Sequence, residues 1–142
     1  MMPIHSCEIS IDGASRGNPG PSGIGVVMRD GKGTIREFGH YIGETTNNVA
    51  EYLALVYALQ EALQAGCASV SVKTDSELLA RQVNGQYKVR DAQLRLFHDV
   101  VQHLRRGFSH CSITHIPREQ NVRADQLAGH AVKSRISADR QR

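Results

Sequence analysis

The stretch "TTNNVAEYLALVYAL" (Thr45–Leu59) carries apolar side chains at Val49, Tyr52, Leu53, Val56 and Leu59, and Leu63 continues the series. Steps of three and four residues place them on one stripe of an α-helix packed against a core. A carboxylate, Glu51, breaks the apolar run, and two amides, Asn47 and Asn48, stand just ahead of it. Local helix chemistry offers one account. Asn47 or Asn48 caps the helix, and an acid in its first turn suits the positive end of the dipole. The flanking sequence has to decide whether these groups do more.

Upstream, "CEISID" alternates Cys7, Ile9 and Ile11 with Glu8, Ser10 and Asp12, the period of a strand. "GASRGNPGPSG" reads as a Gly/Pro loop, and "IGVVMRD" with "TIREFGHYIG" as a hairpin. Downstream of the first helix, which Gly66 is placed to end, "SVSVKTD" is a short valine-rich strand. "SELLARQVNG" is a short helix, and "DAQLRLFHDVVQHLRRG" a longer one with Leu94, Phe97, Val101 and Leu104 on one stripe. "SHCSITHI" is the last strand, and "NVRADQLAGHAVKS" a helix that Asn121 can cap. "RISADRQR" reads as a frayed polar tail. The order β-β-β-α-β-α-α-β-α predicts an α/β fold: three antiparallel strands, then two parallel ones reached through helices, in one mixed five-stranded sheet. The expected division is one domain over residues 1–134 and a tail over 135–142.

The chain has 142 residues, enough for one core, and 40% of them are hydrophobic, which excludes wholesale disorder. Lys plus Arg number 17 against 14 for Asp plus Glu, a net +3 that permits a nucleic-acid partner without demanding one. Cys7, Cys67 and Cys111 are odd in number and widely spaced, with no CxxC pair. That argues against a disulfide framework or a zinc site and predicts buried free thiols in a reducing compartment. No basic leader with a long apolar run opens the chain, and no run is long enough to span a bilayer. A cytoplasmic protein is expected.

Four acids share one placement. Asp12 ends the first strand and Asp75 ends the fourth, in "KTDS"; Glu51 and Asp125 open helices. Strand C-terminal ends and helix N-termini meet at one edge of an α/β layer, so all four can converge there. Like charges 4 Å apart cost about 4 kcal/mol at an effective dielectric of ~20. Such a cluster requires shared protons or a cation. All-oxygen donors select hard ions such as Mg²⁺ or Mn²⁺. Four carboxylates can hold two such ions ~4 Å apart, the arrangement for in-line phosphoryl displacement. Each acid also has a local account: Asp12 as a turn acid before Gly13, Asp75 as a cap for the helix at Ser76, Asp125 as a dipole partner. Their joint occurrence in this topology is what points to a site.

In order and spacing, "IDGASRGNPGPSGIG", "TTNNVAEYLAL", "TDSELL" and "NVRADQLA" resemble the motifs of type 1 ribonuclease H, to about Ser134. "PREQN" before "VRAD" is more like the short bacterial and archaeal forms, without an N-terminal hybrid-binding domain or a basic insertion. The resemblance implies the ribonuclease H-like fold and an endonuclease that cuts the RNA strand of an RNA/DNA hybrid, leaving 5′-phosphate and 3′-hydroxyl ends. It implies two Mg²⁺ ions, with Mn²⁺ as a substitute, held by Asp12, Glu51, Asp75 and Asp125. Asp12 would bridge them. Asn18, Asn47 and Asn48 match positions that line the nucleic acid, and Thr46 one that grips a DNA phosphate. A monomer with no membrane partner is expected.

Three departures accompany the resemblance. His115 lies in the strand pattern "ITHI", not in the long loop where many members carry a histidine. Glu77 stands where some members have glutamine. Only "NGQYKVRD" occupies the place of the basic insertion, leaving Lys88 and Arg90 as the cations that could hold the DNA strand. Two rivals remain. A binding module of this fold would gain nothing from a repulsive acid cluster. A resolvase- or transposase-like nuclease would share the layout but not "GNPG" with "TNN".

Overall fold

The computed structural model describes residues 6–140. Its elements are β1 (Ser6–Ser15), β2 (Gly20–Asp30), β3 (Ile35–Thr45), α1 (Asn47–Gln64), β4 (Ser69–Thr74), α2 (Glu77–Val83), α3 (Ala92–Arg105), β5 (His110–His115) and α4 (Val122–Arg140). A 3₁₀ turn over Arg118–Gln120 joins β5 to α4. The strands form one sheet in the order β3-β2-β1-β4-β5. β1, β2 and β3 pair antiparallel, and β4 and β5 run parallel to β1. The order of elements along the chain and the strand directions match the sequence expectation.

Alternation along the strands sends the two faces to different helices. Ile9 and Ile11 of β1, Ile24 and Val26 of β2, and Val70 and Val72 of β4 share one buried core with α1. Gly23 and Gly25, on the other face of β2, meet α4: a Cβ at Gly23 would lie 2.7 Å from the Ala128 carbonyl oxygen, and one at Gly25 would overlap Ala124. α1 approaches β1 just as closely, since a Cβ at Gly13 would overlap the backbone of Ala50 and Glu51. Small residues at these crossings set how near each helix comes to the sheet.

Several expectations need correction. The glycine loop is shorter than its composition suggests. Ser15 pairs with Ser22, and the Arg16 amide donates to the Pro21 carbonyl at 2.8 Å, so β1 and β2 extend into it. Thr46, not an asparagine, caps α1, its Oγ1 accepting from the Val49 amide at 3.2 Å. Glu51 consequently lies beyond the first turn. The fully buried ridge of α1 is Ala50, Ala54, Ala58 and Ala62 with Leu55 and Leu59, whereas Leu53 and Val56 are only partly buried. α4 stays helical past Ser134 to Arg140 instead of fraying; residues 141–142 lie outside the described chain.

Cys7 and Cys67 are not free thiols. They form a disulfide across 60 residues, with Cα atoms 6.3 Å apart. The parallel pairing of β1 with β4 brings Cys7 opposite Val70, and Gly66 (φ +79°) turns the chain so that Cys67 faces it. Spacing along the chain carries no sign of that proximity. Cys111 is free and half-buried, and burial raises its thiol pKa. No helix among the described residues is long and apolar enough to cross a membrane.

Candidate active site

Asp12 and Gly25 are register partners, so Asp12 points to the face that Gly25 opens for α4. Glu51 arrives from the α1 side, where the Gly13 amide donates to its Oε1. Asp75 follows β4. Ser76, the next residue, caps α2 by accepting from the Leu79 amide at 3.1 Å, which frees Asp75 from that duty. Asp125 lies in the first turn of α4. One open cavity of about 430 Å³ is lined by all four acids together with Ser15, Asn47, Ser76 and Arg118.

Within it, Asp12, Glu51 and Asp75 each present an oxygen, all within 4.8 Å of one another. Asp12 and Glu51 are buried, each 5% exposed, while the Asp125 side chain is 42% exposed at the rim. Burial, then the charges of Glu51 and Asp75, and then a hydrogen bond with Asp125, push Asp12 up to about 10. Burial also raises Glu51, to about 8, against the pull of the Gly13 amide. Without a cation this cluster therefore keeps protons at neutral pH. The donor set is carboxylate oxygen alone, which suits a hard divalent ion and not a thiophilic one.

The expected substrate residues divide. Asn47 lines the cavity, and its backbone amide donates to Asn18 Oδ1 at 3.0 Å. Thr46 and Asn48 flank Asn47 at the start of α1, Thr46 as its cap. Lys88 and Arg90 do not line the cavity. Their loop is tied instead to α2, where Gln82 Nε2 donates to the Lys88 carbonyl at 3.4 Å and Gln82 Oε1 accepts from buried Tyr52 at 2.7 Å. Glu77 pairs with Arg81 at 2.9 Å on the surface of α2, and exposed His115 ends β5 outside the cavity lining.

Two residues were missed from sequence. Arg118 lines the cavity, with its Nη2 4.0 Å from Asp125 Oδ1. A lone cation in the short connector before "VRAD" was the available signal. Asn121, 2% exposed, does not cap α4 with its side chain. Its Nδ2 instead donates to the Ile11 carbonyl at 2.8 Å, beside Asp12, and its Oδ1 has no partner among the described residues.

A family model described as reverse transcriptase-like matches residues 10–131. "Ribonuclease HI" of Halobacterium salinarum is 45% identical over 122 residues, covering 85% of this chain. The chain belongs to the ribonuclease H family. It spans 61% of the length of that halobacterial relative and 35% of a mycobacterial one. Among ribonuclease H structures, the crystal structure of RNase H1 from Halobacterium salinarum superposes with a TM-score of 0.88 at 42% identity, covering 91% of this chain and 98% of that one. LC11-RNase H1, solved in complex with an RNA/DNA hybrid, superposes with a TM-score of 0.86 at 43% identity, covering 92% and 99%.

Proposed function

We propose that the chain is an endonuclease that hydrolyses the RNA strand of RNA/DNA hybrids, leaving 5′-phosphate and 3′-hydroxyl ends. The observation that carries this reading is the meeting of the Asp12, Glu51 and Asp75 oxygens within 4.8 Å in an open polar cavity. The family supplies the substrate class, since LC11-RNase H1 binds such a hybrid in its crystal structure.

The proposed cofactor is a pair of Mg²⁺ ions, with Mn²⁺ as a substitute, held by Asp12, Glu51, Asp75 and Asp125. When bound, such ions supply a water of lowered pKa and offset charge on the leaving oxygen. The chain's own contribution is placement. The Gly13 amide fixes Glu51, and Asn121 fixes the backbone that carries Asp12. Burial and like charge keep protons on Asp12 and Glu51, which would have to leave for these carboxylates to hold an ion. Asn18, Asn47 and Asn48 offer donors and acceptors to the minor groove, where the 2′-hydroxyl distinguishes RNA from DNA. Thr46 offers a hydroxyl to a DNA phosphate, and Lys88 and Arg90 offer charge to the same strand. Arg118, at the cavity wall, offers charge to the phosphate being cut.

The proposed catalytic unit spans residues 1–134, with 135–142 as an extension of it, and acts as a monomer in the cytoplasm. A disulfide is uncommon in that compartment; thiol counting on protein from fractionated cells tests the placement. The function is tested by competing labelled hybrid against single-stranded RNA, duplex RNA and duplex DNA in Mg²⁺. Only the hybrid should be cut, and only in its RNA strand. Comparable hydrolysis of duplex DNA would sink the assignment.

A further inference from the structure

Three cavities meet along α4. The carboxylate cavity shares Ala14 and Ser15 with a smaller one of about 190 Å³ that Arg16, Gly129, Val132 and Lys133 complete. Gly129 and Lys133 also line a third, of about 610 Å³, which leads past His130 and Gln126 back to Asp125. The shared residues make the three cavities neighbours around α4, a grooved surface that reaches from Asp125 to Lys133. Outside the carboxylate cavity, Asp125 is the only acid that lines it among the described residues. Arg123 is held by Glu37 at 2.8 Å, but Arg16 and Lys133 have no ion-pair partner among the described residues.

Gly129 is the second observation. It lies well inside the 19-residue α4, where glycine is less favourable than alanine. Gly23 and Gly25 relieve a clash; Gly129 does not. A Cβ there would meet no atom within 4 Å. Glycine weakens the helix at this point without serving any contact inside the protein. Its effect is to leave bare helix surface where the second and third cavities join.

We propose that this groove is a second nucleic-acid contact: the phosphate backbone of the RNA strand leaves the cleavage site along it, over Gly129 and between Arg16 and Lys133. The inference rests on the function proposed above. A strand cut internally continues on both sides of the scissile phosphate, so one side must leave past an edge of the carboxylate cavity. This edge is grooved, cationic and open. Asp125 and Lys133 are separated by ~12 Å at 1.5 Å per helical residue. That length accommodates roughly three phosphates of one strand at 3.4 Å of axis each.

The test uses the whole chain and hybrids whose RNA strand is trimmed stepwise, from the 5′ end in one series and from the 3′ end in another. Steady-state cleavage and anisotropy of labelled hybrid are read on each. Lys133→Ala and Gly129→Ala should each raise KM several-fold on the long hybrid with kcat nearly unchanged. The effect should vanish when one end is trimmed and persist when the other is. Lys133→Ala should also lower the log–log salt slope by roughly 0.9. Gly129→Ala should melt at a higher temperature than wild type while binding more weakly, a pairing that misfolding does not produce. A stabilised Gly129→Ala with wild-type KM on every hybrid, or a Lys133→Ala with an unchanged salt slope, overturns the track while leaving the nuclease reading intact. A protein that neither binds nor cuts any hybrid overturns both.

Discussion

Asn121 and Ile11 lie 110 residues apart, yet the Asn121 Nδ2 donates to the Ile11 carbonyl at 2.8 Å inside the protein. The bond ties the connector before α4 to the last backbone unit before Asp12, and the Asn121 carbonyl accepts from the Asp125 amide at 3.2 Å. One residue thus holds the backbone of two acids from different ends of the chain. Asn121→Ala leaves a buried carbonyl without its donor, a loss of about 1–3 kcal/mol. Urea unfolding should show it. Activity should fall in kcat more than in KM, because Asn121 lies beneath the site and outside the cavity lining.

Gly13 is the contact on the opposite side. Its missing Cβ lets α1 lie against β1, and its amide holds Glu51. Gly13→Ala drives a methyl group into the backbone of Ala50 and Glu51, where no flexible side chain can yield. Overpacking of this kind costs about 1–3 kcal/mol or more. Thermal melting should report a loss at the upper end of that range, with cleavage abolished because Glu51 moves with the helix. Wild-type stability with full activity would refute the close approach.

The cluster's protons give a pH dependence. Asp12 and Glu51 titrate near 10 and 8 in the folded chain, against ordinary values of 3.8 and 4.5. Between those limits the native state binds more protons than the unfolded state, so stability falls as pH rises. In EDTA the melting temperature should therefore decline from about pH 4 through pH 8 and beyond. Mg²⁺ at neutral pH should raise it and release protons, which calorimetry in buffers of different ionisation enthalpy counts. A melting temperature that rises with pH over this range in EDTA would contradict the raised values.

Arg118 separates charge from stability. Its contact with Asp125 is 4.0 Å long and its side chain is 80% exposed, so the pair itself contributes at most about 1 kcal/mol. Arg118→Ala should leave the melting temperature nearly unchanged and lower kcat/KM. Arg118→Lys should restore part of the loss, since charge at the cavity wall is what the phosphate meets. Equal activity in all three would remove Arg118 from the site.

Lys88 and Arg90 test the grip on the DNA strand. Each phosphate contact adds roughly 0.9 to the log–log salt slope for B-form DNA, so replacing both with alanine should make the slope shallower and raise KM. Turnover should barely change, as neither residue lines the carboxylate cavity. Both constants measured across salt concentrations decide this. An unchanged KM at low salt places the grip elsewhere.

The sheet was legible because strand alternation and helix periodicity are local signals. "CEISID" and "SVSVKTD" carry their faces in their own residues. The four acids were legible because the sequence places each near the end of an element and topology brings such ends together, although β1 runs on past Asp12 to Ser15 and Glu51 lies beyond the first turn of α1. What escaped depends on contacts between distant segments. The Cys7–Cys67 disulfide needs the β1–β4 register, and the Asn121–Ile11 bond needs α4 to be in place. The alanine ridge of α1 was hidden because the large residues beside it carry the stronger periodic signal, while the small ones permit the closest approach. The sequence points to an asparagine and not Thr46 as the cap because two asparagines, intrinsically better caps than threonine, follow it directly.

The most direct test of the central claim is cleavage of an end-labelled RNA/DNA hybrid by wild type and Asp12→Asn, each with Mg²⁺ and with EDTA, alongside anisotropy of the same hybrid. Wild type should cut the RNA strand in Mg²⁺ alone. Asp12→Asn should bind the hybrid nearly as well and cut at less than about a tenth of the wild-type rate, a barrier increase above ~1.4 kcal/mol. Cleavage that persists in EDTA, or an Asp12→Asn protein that retains more than that tenth, would contradict the assignment of the acid cluster as the metal-dependent catalytic centre.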